Sequence, residues 1–318
     1  MPTTYITYEQ LTRDVERLDA RLPRNLAGII AVPRSGLLPA TMLAMRRNLP
    51  LLSFGGDMSR DFDVINLAKG EREVQWQEGP YVVVDDSVYR GNAMKKAKEQ
   101  IASDGSMKDL SIICAAVYKH PDSPDGRDVD VWAREIDGPR YFAWNIFHHP
   151  DAAKFMLDLD GVVCHDPPIY DDGVGGAYEK WLPYATPRHV PTVAIGAICT
   201  NRLQIWREQT AEWLKRHGVT VDSAYFAPYD TPGERSMGPT FGVRKGQVYA
   251  MSECTLFIES DDAQARIIAE VSQKPALALD TVDDKQVAGR VFIALPDQGK
   301  SMAVGAFTAV RCPPLPVP

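Results

Sequence analysis

The sequence contains no apolar run of about 18 residues, the length that a membrane-spanning helix needs, and no apolar segment near its start of the kind that directs secretion. We therefore expect a cytoplasmic protein with no membrane partner. The five cysteines are scattered without C-x-x-C spacing, which argues against a zinc site and a disulfide framework. With a net charge of -7, the chain also lacks the basic excess of a nucleic-acid-binding protein. Small molecules, anionic ones included, remain the expected partners, and a homo-oligomer is compatible with these features.

What the sequence does contain is enough globular material for two domains. Its 318 residues are 45% hydrophobic and 24% charged. In both halves, apolar runs suited to buried strands alternate with segments of helical spacing. This alternation predicts an α/β fold with two parallel-sheet domains, which we place at residues 1–150 and 151–318.

The strongest chemical signal in the first half is a pair of adjacent acids. A strand of β-forming residues beginning at Tyr81 ends in Asp85 and Asp86, and a glycine turn and a helix from about Ala93 follow. Adjacent carboxylates repel each other, and the local sequence offers no obvious arginine partner. The pair therefore predicts a ligand that is cationic or rich in hydroxyls, such as a ribose diol with magnesium. Amides of the loop that opens the helix would hold a phosphate.

A second signal is the turn Pro-Arg-Ser-Gly at 33–36, directly after a strand predicted at 27–32. Backbone amides in such a turn, next to an arginine, form an anion site. Taken alone, the pattern favours a structural turn with an exposed arginine over an anion site.

Together these motifs make residues 27–150 resemble a type I phosphoribosyltransferase. The resemblance implies a Rossmann-like fold, Mg²⁺ as cofactor and binding of phosphoribosyl diphosphate (PRPP) by nine residues: Arg34, Ser35, Gly36, Asp85, Asp86, Ser87, Arg90, Gly91 and Asn92. Arg90 and Ala93 stand where the family commonly has threonines. A domain that binds PRPP or a nucleotide without catalysis is therefore the alternative.

Two further positions match the base-binding residues of the family branch that handles 6-oxopurines. By this resemblance Lys119, after the strand predicted at 112–118, contacts the exocyclic oxygen, and Trp144 stacks on the base. The alternative for the aromatic segment at 141–144 is core packing between domains. The polar segment 53–77 matches the lid that such transferases close over PRPP.

The second half begins at a short apolar run, Phe-Met-Leu at 155–157, which predicts a buried strand. Two carboxylates, Asp158 and Asp160, follow it at the end where parallel sheets bind ligands. A solvated turn is the alternative for this motif alone. However, the later strands also end near chemical residues, which are Thr200, Lys245, Glu259 and Asp261.

The order of these residues resembles the haloacid dehalogenase (HAD) superfamily of phosphohydrolases over residues 155 to about 295. The resemblance implies a HAD-like fold with a minimal cap, in which Asp158 is the nucleophile and Asp160 is the acid and base. Thr200 and Lys245 would bind the phosphoryl group. Mg²⁺ would be held by Asp158, the backbone carbonyl of Asp160 and either Glu259, Asp261 or both.

The sequence thus predicts a bifunctional enzyme of nucleotide metabolism. The first domain would transfer phosphoribose from PRPP to a purine-like nucleobase, and the second would hydrolyse the 5'-phosphate of the nucleoside monophosphate through an aspartyl-phosphate. The alternative is a HAD phosphatase with a regulatory domain that binds PRPP or a nucleotide without turning it over.

Overall fold

The computed structural model describes residues 3–54, 64–66, 76–89, 91–123, 129–168, 173–279 and 289–293. Arg90 and most of the segment predicted to be a lid lie outside these described residues. Within the described chain there are two units. One spans 8–140, and the other combines 3–7 with the chain from Tyr141 onward. The functional boundary placed between residues 150 and 151 stays a prediction.

Strands and helices alternate along the described chain. The strands are β1 (Thr4–Ile6), β2 (Gly28–Ala31), β3 (Leu51–Phe54), β4 (Val64–Asn66), β5 (Tyr81–Val88), β6 (Ile112–Lys119), β7 (Val131–Glu135), β8 (Arg140–Phe142), β9 (Phe155–Leu157), β10 (Ile195–Leu203), β11 (Val221–Ala227), β12 (Leu256–Glu259), β13 (Ala276–Leu279) and β14 (Gly289–Phe292). The helices are α1 (Tyr8–Asp19), α2 (Leu37–Arg47), α3 (Asn92–Ser103), α4 (Ala177–Trp181), α5 (Arg207–Arg216), α6 (Pro232–Ser236), α7 (Phe241–Ala250) and α8 (Asp262–Ser272).

The first unit is built on a sheet with the strand order β4-β3-β2-β5-β6-β7. Its neighbouring strands are parallel except for β3 and β4. β2 is buried along its whole length, as expected of a central strand covered on both faces. The chain fills one side of β2 first and then crosses to β5, so the strand order reverses between β2 and β5. Open α/β sheets bind ligands at the carboxyl ends of strands at such a reversal.

The second unit has a sheet of the same kind, with the order β11-β10-β9-β12-β13-β14. Only β13 and β14 are antiparallel. The three residues of β9 are buried, and β9 lies between β10 and β12. Because the chain adds β10 and β11 on one side of β9 before it adds β12 on the other, the reversal falls between β9 and β12. β1 and β8 form a separate two-stranded sheet.

The described fold confirms the expected α/β architecture with parallel sheets, but two strands run further than their sequence patterns indicate. β5 continues past the acid pair because Ser87 and Val88 still pair with Tyr118 and Lys119 of β6. β10 likewise continues past Thr200, with a register shift in its pairing to β11. Asp85, Asp86 and Thr200 therefore lie within strands and not just beyond the strand ends.

No helix in the described ranges is both long enough and apolar enough to cross a membrane.

Candidate functional site

A pair of adjacent buried carboxylates lies at the strand-order reversal of the first unit. Asp85 and Asp86 are each 6% exposed, and the backbone N–H of Asp86 donates to Asp85 Oδ1 at 2.8 Å. Burial first, and the charge of Asp86 second, raise the pKa of Asp85 well above its usual range. Burial also raises the pKa of Asp86. Two carboxyl groups that resist ionising together are suited to a cationic or hydroxyl-bearing ligand.

The turn at 33–36 packs directly against this pair. Gly36 is buried, and a Cβ built on it would lie 2.4 Å from the carbonyl oxygen of Val32 and 2.7 Å from that of Val84. Both contacts are with backbone atoms, so a larger residue could not be accommodated by turning a side chain. The two motifs that the sequence separates by about fifty residues are therefore in contact.

Two side chains modify the charge of the acid pair. The Ser35 hydroxyl donates to the carboxylate of Asp86 and opposes the rise in the pKa of Asp86. Arg140 donates from Nε to Ser87 Oγ at 2.6 Å, and its positive charge also favours the ionised form of Asp86. The local sequence offers the pair no arginine, but the fold brings Arg140 to it from a distant part of the chain.

The other residues expected to bind PRPP lie around the same strand ends. Arg34 and Asn92 are exposed. Gly91 is buried and takes the left-handed conformation with φ 73°, from which α3 begins. Arg90 lies outside the described residues, so its contacts are not described.

The two residues predicted to bind the base lie in different units. Lys119 ends β6, and its Nζ lies 4.0 Å from the ring centroid of Trp132. Trp144 follows β8 in the second unit, and its ring stacks on Phe142 with the centroids 4.6 Å apart. Their role in base binding stays a prediction.

In the second unit, a cavity of about 380 Å³ lies at the carboxyl ends of the central strands. The four residues predicted to be catalytic line it: Asp158, Asp160, Thr200 and Lys245. Asp158 and Thr200 converge because β9 and β10 are parallel neighbours and their carboxyl ends lie at the same edge of the sheet.

A buried lysine joins two carboxylates at the bottom of this site. Lys245 Nζ lies 2.7 Å from Asp158 Oδ2 and 2.7 Å from Glu259 Oε2. Burial lowers the pKa of Lys245, but the charges of Asp158 and Glu259 outweigh it and raise that pKa. Burial first, and the charge of Glu259 second, raise the pKa of Asp158, while Lys245 opposes the rise. The lysine is thus held as a cation beside the carboxylate predicted to be the nucleophile.

Lys245 reaches these acids from within α7. The neighbouring Gly246 allows α7 to approach α8 closely, since a Cβ there would lie 2.7 Å from the Cβ of Val271. This close packing fixes the position of the helix from which the lysine extends.

The second acid of the motif also has a cationic partner. Arg202 Nη2 lies 2.6 Å from Asp160 Oδ1, and Arg202 Nε lies 3.0 Å from Asp160 Oδ2. Two parallel charge-assisted hydrogen bonds of this kind fix both the distance and the orientation of a carboxylate.

Thr200 is held in place by a second buried arginine. Arg244 donates to the backbone carbonyl of Thr200 and to Asn201 Oδ1 at 3.0 and 2.9 Å. These bonds cross-link the end of β10 to α7.

The two acids proposed as the last metal ligand are in different surroundings. Glu259 is fully buried, with Oε2 on Lys245 and with Oε1 accepting from the Ser260 backbone N–H at 3.0 Å. Asp261 lines the cavity and accepts from the Gln264 backbone N–H at 2.7 Å at the start of α8. Among the residues that the structure describes, no group of three or more His, Cys, Asp or Glu side chains is arranged to hold a metal ion.

The two candidate sites contain three arginines that the sequence did not predict: Arg140 in the first unit, and Arg202 and Arg244 in the second. Arg202 had a usable signal, because it lies two residues after Thr200 on a strand and residues at this spacing point to the same face. Arg244 is adjacent to Lys245. Arg140 has no local signal.

No protein-family model matches the sequence. A xanthine-guanine phosphoribosyltransferase from Idiomarina loihiensis is 33% identical over 151 residues, which cover 46% of this chain and 88% of that enzyme. A second xanthine-guanine phosphoribosyltransferase, from Chromohalobacter salexigens, is 30% identical over 100 residues. That match covers 30% of this chain. It covers 60% of the enzyme, which is less than two thirds of the length of the enzyme.

Among solved structures, a purine phosphoribosyltransferase from Pyrococcus horikoshii aligns with a TM-score of 0.35 at 19% identity, covering 46% of this chain and 95% of that one. The N-terminal ~150 residues of the chain carry the resemblance. Through this N-terminal part, the chain belongs to the phosphoribosyltransferase family.

Proposed function

We propose that the chain is a bifunctional enzyme of purine nucleotide metabolism, in which a phosphoribosyltransferase is joined to a HAD-type phosphatase. Family membership supports the first activity, and a purine-like base is the substrate class named for the relatives. The observation that carries the proposal is the convergence of two sets of reactive residues, each at the strand-order reversal of its own sheet.

In the first unit, Asp85 and Asp86 would bind the ribose hydroxyls of PRPP, and the turn at 33–36 would bind its pyrophosphate. The contact between Gly36 and the strand that carries the acids supports this assignment. The bond between the ribose carbon and the pyrophosphate oxygen breaks, and a bond from that carbon to a nitrogen of the base forms. That nitrogen gives up its proton, and pyrophosphate leaves. The loop from Ser87 to Asn92 would hold the 5'-phosphate through amides at the start of α3.

Mg²⁺ is the cofactor proposed for both reactions, and the donor groups suit it. Magnesium prefers oxygen ligands and binds through one or two carboxylates together with substrate phosphates. Asp85 and Asp86 supply such carboxylates. In the second unit, Asp158, the Asp160 carbonyl and Asp261 supply oxygen ligands at the cavity, and the metal would neutralise charge on the phosphoryl oxygens.

For the second unit we assign Glu259 to a different task from metal binding. Its two oxygens are engaged by Lys245 and by the Ser260 amide, and its side chain is fully buried. Asp261 is thus the better candidate for the last ligand, and Glu259 holds Lys245 against Asp158.

The hydrolysis would proceed in two steps. Asp158 attacks the phosphorus, the bond to the nucleoside 5'-oxygen breaks, and Asp160 gives that oxygen a proton. Water then attacks the aspartyl-phosphate and returns a proton to Asp160, which releases phosphate and restores the Asp158 carboxylate. Thr200 and Lys245 would stabilise the charge on the phosphoryl oxygens.

Joining the two activities has a thermodynamic consequence. Transfer to the base is reversible, whereas hydrolysis of a phosphomonoester in water is downhill. Removal of the 5'-phosphate would therefore draw the transfer reaction toward the nucleoside.

The alternative is a first unit that binds PRPP without turnover. It draws support from Arg90 and Ala93, which stand where the family commonly has threonines and which offer no hydroxyl to a phosphate. Mass spectrometry after incubation with PRPP, Mg²⁺ and a panel of purine and pyrimidine bases decides between the two. The proposal expects a nucleoside from the wild-type protein, and expects a nucleotide to accumulate in the Asp158→Asn variant. If PRPP binds but no base in the panel yields pyrophosphate, the first unit is instead a sensor.

A matched pair of variants separates the two halves. Asp85→Asn with Asp86→Asn should abolish base-dependent pyrophosphate release but leave hydrolysis of a generic phosphomonoester intact. Asp158→Asn should show the opposite pattern, because a neutral amide cannot act as the nucleophile. Hydrolysis at the wild-type rate in the Asp158→Asn protein would refute the phosphatase assignment.

A further inference from the structure

Arg202 is a buried arginine whose charged end faces the cavity of the second unit. Its side chain is 1% exposed, and it makes the bidentate contact with Asp160. Its Nη1 also donates to Thr210 Oγ at 3.0 Å, and its Nη2 lies 3.4 Å from Cys164 Sγ. An arginine is rarely buried to this degree unless it is paired.

Arg202 lies where the pairing of β10 is irregular. The pairing of β10 with β11 shifts register between Cys199 and Leu203, and such irregularities re-aim side chains near functional sites. Both Thr200 and Arg202 line the cavity.

Other contacts to Asp160 are weaker than those of Arg202. The Tyr178 hydroxyl lies 3.4 Å from Oδ2, and the Cys164 thiol lies 3.3 Å from Oδ1. Asp160 retains some exposure to the cavity, with 18% of its side chain accessible. Its carboxyl group is thus fixed on one side by the guanidinium and open to a substrate on the other.

We propose that Arg202 is the positioning residue for proton transfer by Asp160. This inference rests on the proposed phosphatase function of the same site. In the first step, Asp160 passes a proton to the leaving oxygen while the bond from phosphorus to that oxygen breaks. In the second step, Asp160 takes one proton from the attacking water, so the proton balance closes over one turnover. Arg202 touches neither reacting atom and acts only by holding the Asp160 carboxyl group in line with them.

Proton transfer to the leaving group has a measurable signature. An alkoxide, such as the 5'-oxygen of ribose 5-phosphate, is a poor leaving group without a proton, whereas p-nitrophenolate leaves readily without one. Loss of a well-placed general acid typically costs about 10²–10⁴-fold in rate when it is needed. The ratio of kcat/KM for p-nitrophenyl phosphate to kcat/KM for ribose 5-phosphate therefore reports on proton transfer by Asp160 in the first step, because kcat/KM covers only the steps through loss of the leaving group.

The experiment compares this ratio in the full-length wild-type protein, Asp160→Asn, Arg202→Met and the double variant. We expect Arg202→Met to raise the ratio by at least about 10-fold, in the same direction as Asp160→Asn. Arg202→Lys, which keeps the charge but not the bidentate geometry, should lie between wild type and Arg202→Met. Adding Arg202→Met to Asp160→Asn should change the ratio by less than about 3-fold, since both act on one step.

Arg216→Met is the matched control, because Arg216 is an exposed arginine whose Nη1 donates to a backbone carbonyl outside the cavity. It should leave the ratio unchanged. Circular dichroism checks the folding of each variant, and Arg202→Lys carries the test if Arg202→Met does not fold.

The outcomes separate the inference from the proposed function. A fall in kcat/KM that is equal for both substrates in the Arg202 variants would show a structural role only and would overturn the inference. Phosphate release that is equal in wild type and Asp158→Asn would instead overturn the phosphatase assignment itself.

Discussion

Replacing Lys245 with methionine tests the charge balance at the centre of the second unit. Lys245 is the cation that two buried carboxylates share, at 2.7 Å from each. The substitution keeps much of the side-chain volume but leaves Asp158 and Glu259 facing each other without a positive charge. Their oxygens lie within about 5.4 Å of one another, which at an effective dielectric constant of about 20 corresponds to a repulsion of about 3 kcal/mol.

Removing one partner of a buried ion pair typically destabilises a protein by about 3–5 kcal/mol. For a unit of this size, each kcal/mol lowers the melting temperature by about 2–4 °C. We therefore expect Lys245→Met to lower the Tm of the second unit by about 6–20 °C at neutral pH. The double variant Lys245→Met with Glu259→Gln should recover at least about half of the loss, because only one buried carboxylate then remains.

The pH dependence of this loss has a definite sign. Burial and the charge of Glu259 raise the pKa of Asp158 in the folded protein. A raised pKa means that the contribution of the group to stability is present at low pH and is lost as the pH rises through the folded-state value. The destabilisation by Lys245→Met should thus be small in acid, where the carboxyl groups are protonated, and should grow toward neutral pH.

Thermal denaturation followed by circular dichroism across a pH series measures both effects, with Lys215→Met as the exposed-lysine control. The control should change the free energy of unfolding by less than about 0.5 kcal/mol. A Tm for Lys245→Met within the range of the control, or a double variant less stable than Lys245→Met, would refute the account of a shared cation.

Three further predictions concern the first unit. Asp85→Asn should make the ligand-free protein more stable than wild type as the pH rises through the raised pKa of Asp85, because the buried group no longer ionises. Thermal melts of both proteins at acidic and at neutral pH measure this, and a Tm difference that is the same at both pH values would contradict it. Arg140→Met removes a charge that favours ionised Asp86, so the pH below which Mg²⁺–PRPP binding weakens should move to a higher value in calorimetric titrations. If that pH does not change, the electrostatic coupling between Arg140 and Asp86 is excluded. Gly36→Ala should destabilise the unit by about 1–3 kcal/mol in chemical denaturation and should weaken PRPP binding, since the new methyl group would meet the carbonyl oxygens of Val32 and Val84. A wild-type free energy of unfolding together with wild-type PRPP affinity would contradict the close packing.

The sequence predicted where the acids of each candidate site lie, because the signals were local. Asp85, Asp86, Asp158 and Asp160 each follow a run of apolar strand formers, and parallel strands bring such positions to one edge of a sheet. The α/β class and the parallel sheets were predictable for the same reason. Strand ends were less predictable: Thr200 lies inside β10 because pairing with a neighbouring strand, which the sequence does not display, extends the strand.

The ionic partners of these acids could not be predicted, because they depend on tertiary contacts. Arg140 approaches Asp86 from the start of β8, and Arg202 reaches Asp160 across the sheet. Glu259 looked like a metal ligand in the sequence, since it ends a strand beside other acids. Only its burial and its contact with Lys245 indicate the different task proposed for it here.

The two units differ in where the positive charge of their sites comes from. In the second unit, Lys245 and Arg202 pair with the acids, so the protein itself supplies the cations that a phosphoryl group would meet. In the first unit, burial raises the pKa of both Asp85 and Asp86, and the described contacts offset this only in part, through the Ser35 hydroxyl and Arg140. The remaining charge must come from the ligand, which is what Mg²⁺ bound to PRPP would provide. The first site is therefore expected to depend on magnesium for substrate binding itself, whereas the second site would use magnesium beside cations that are already in place.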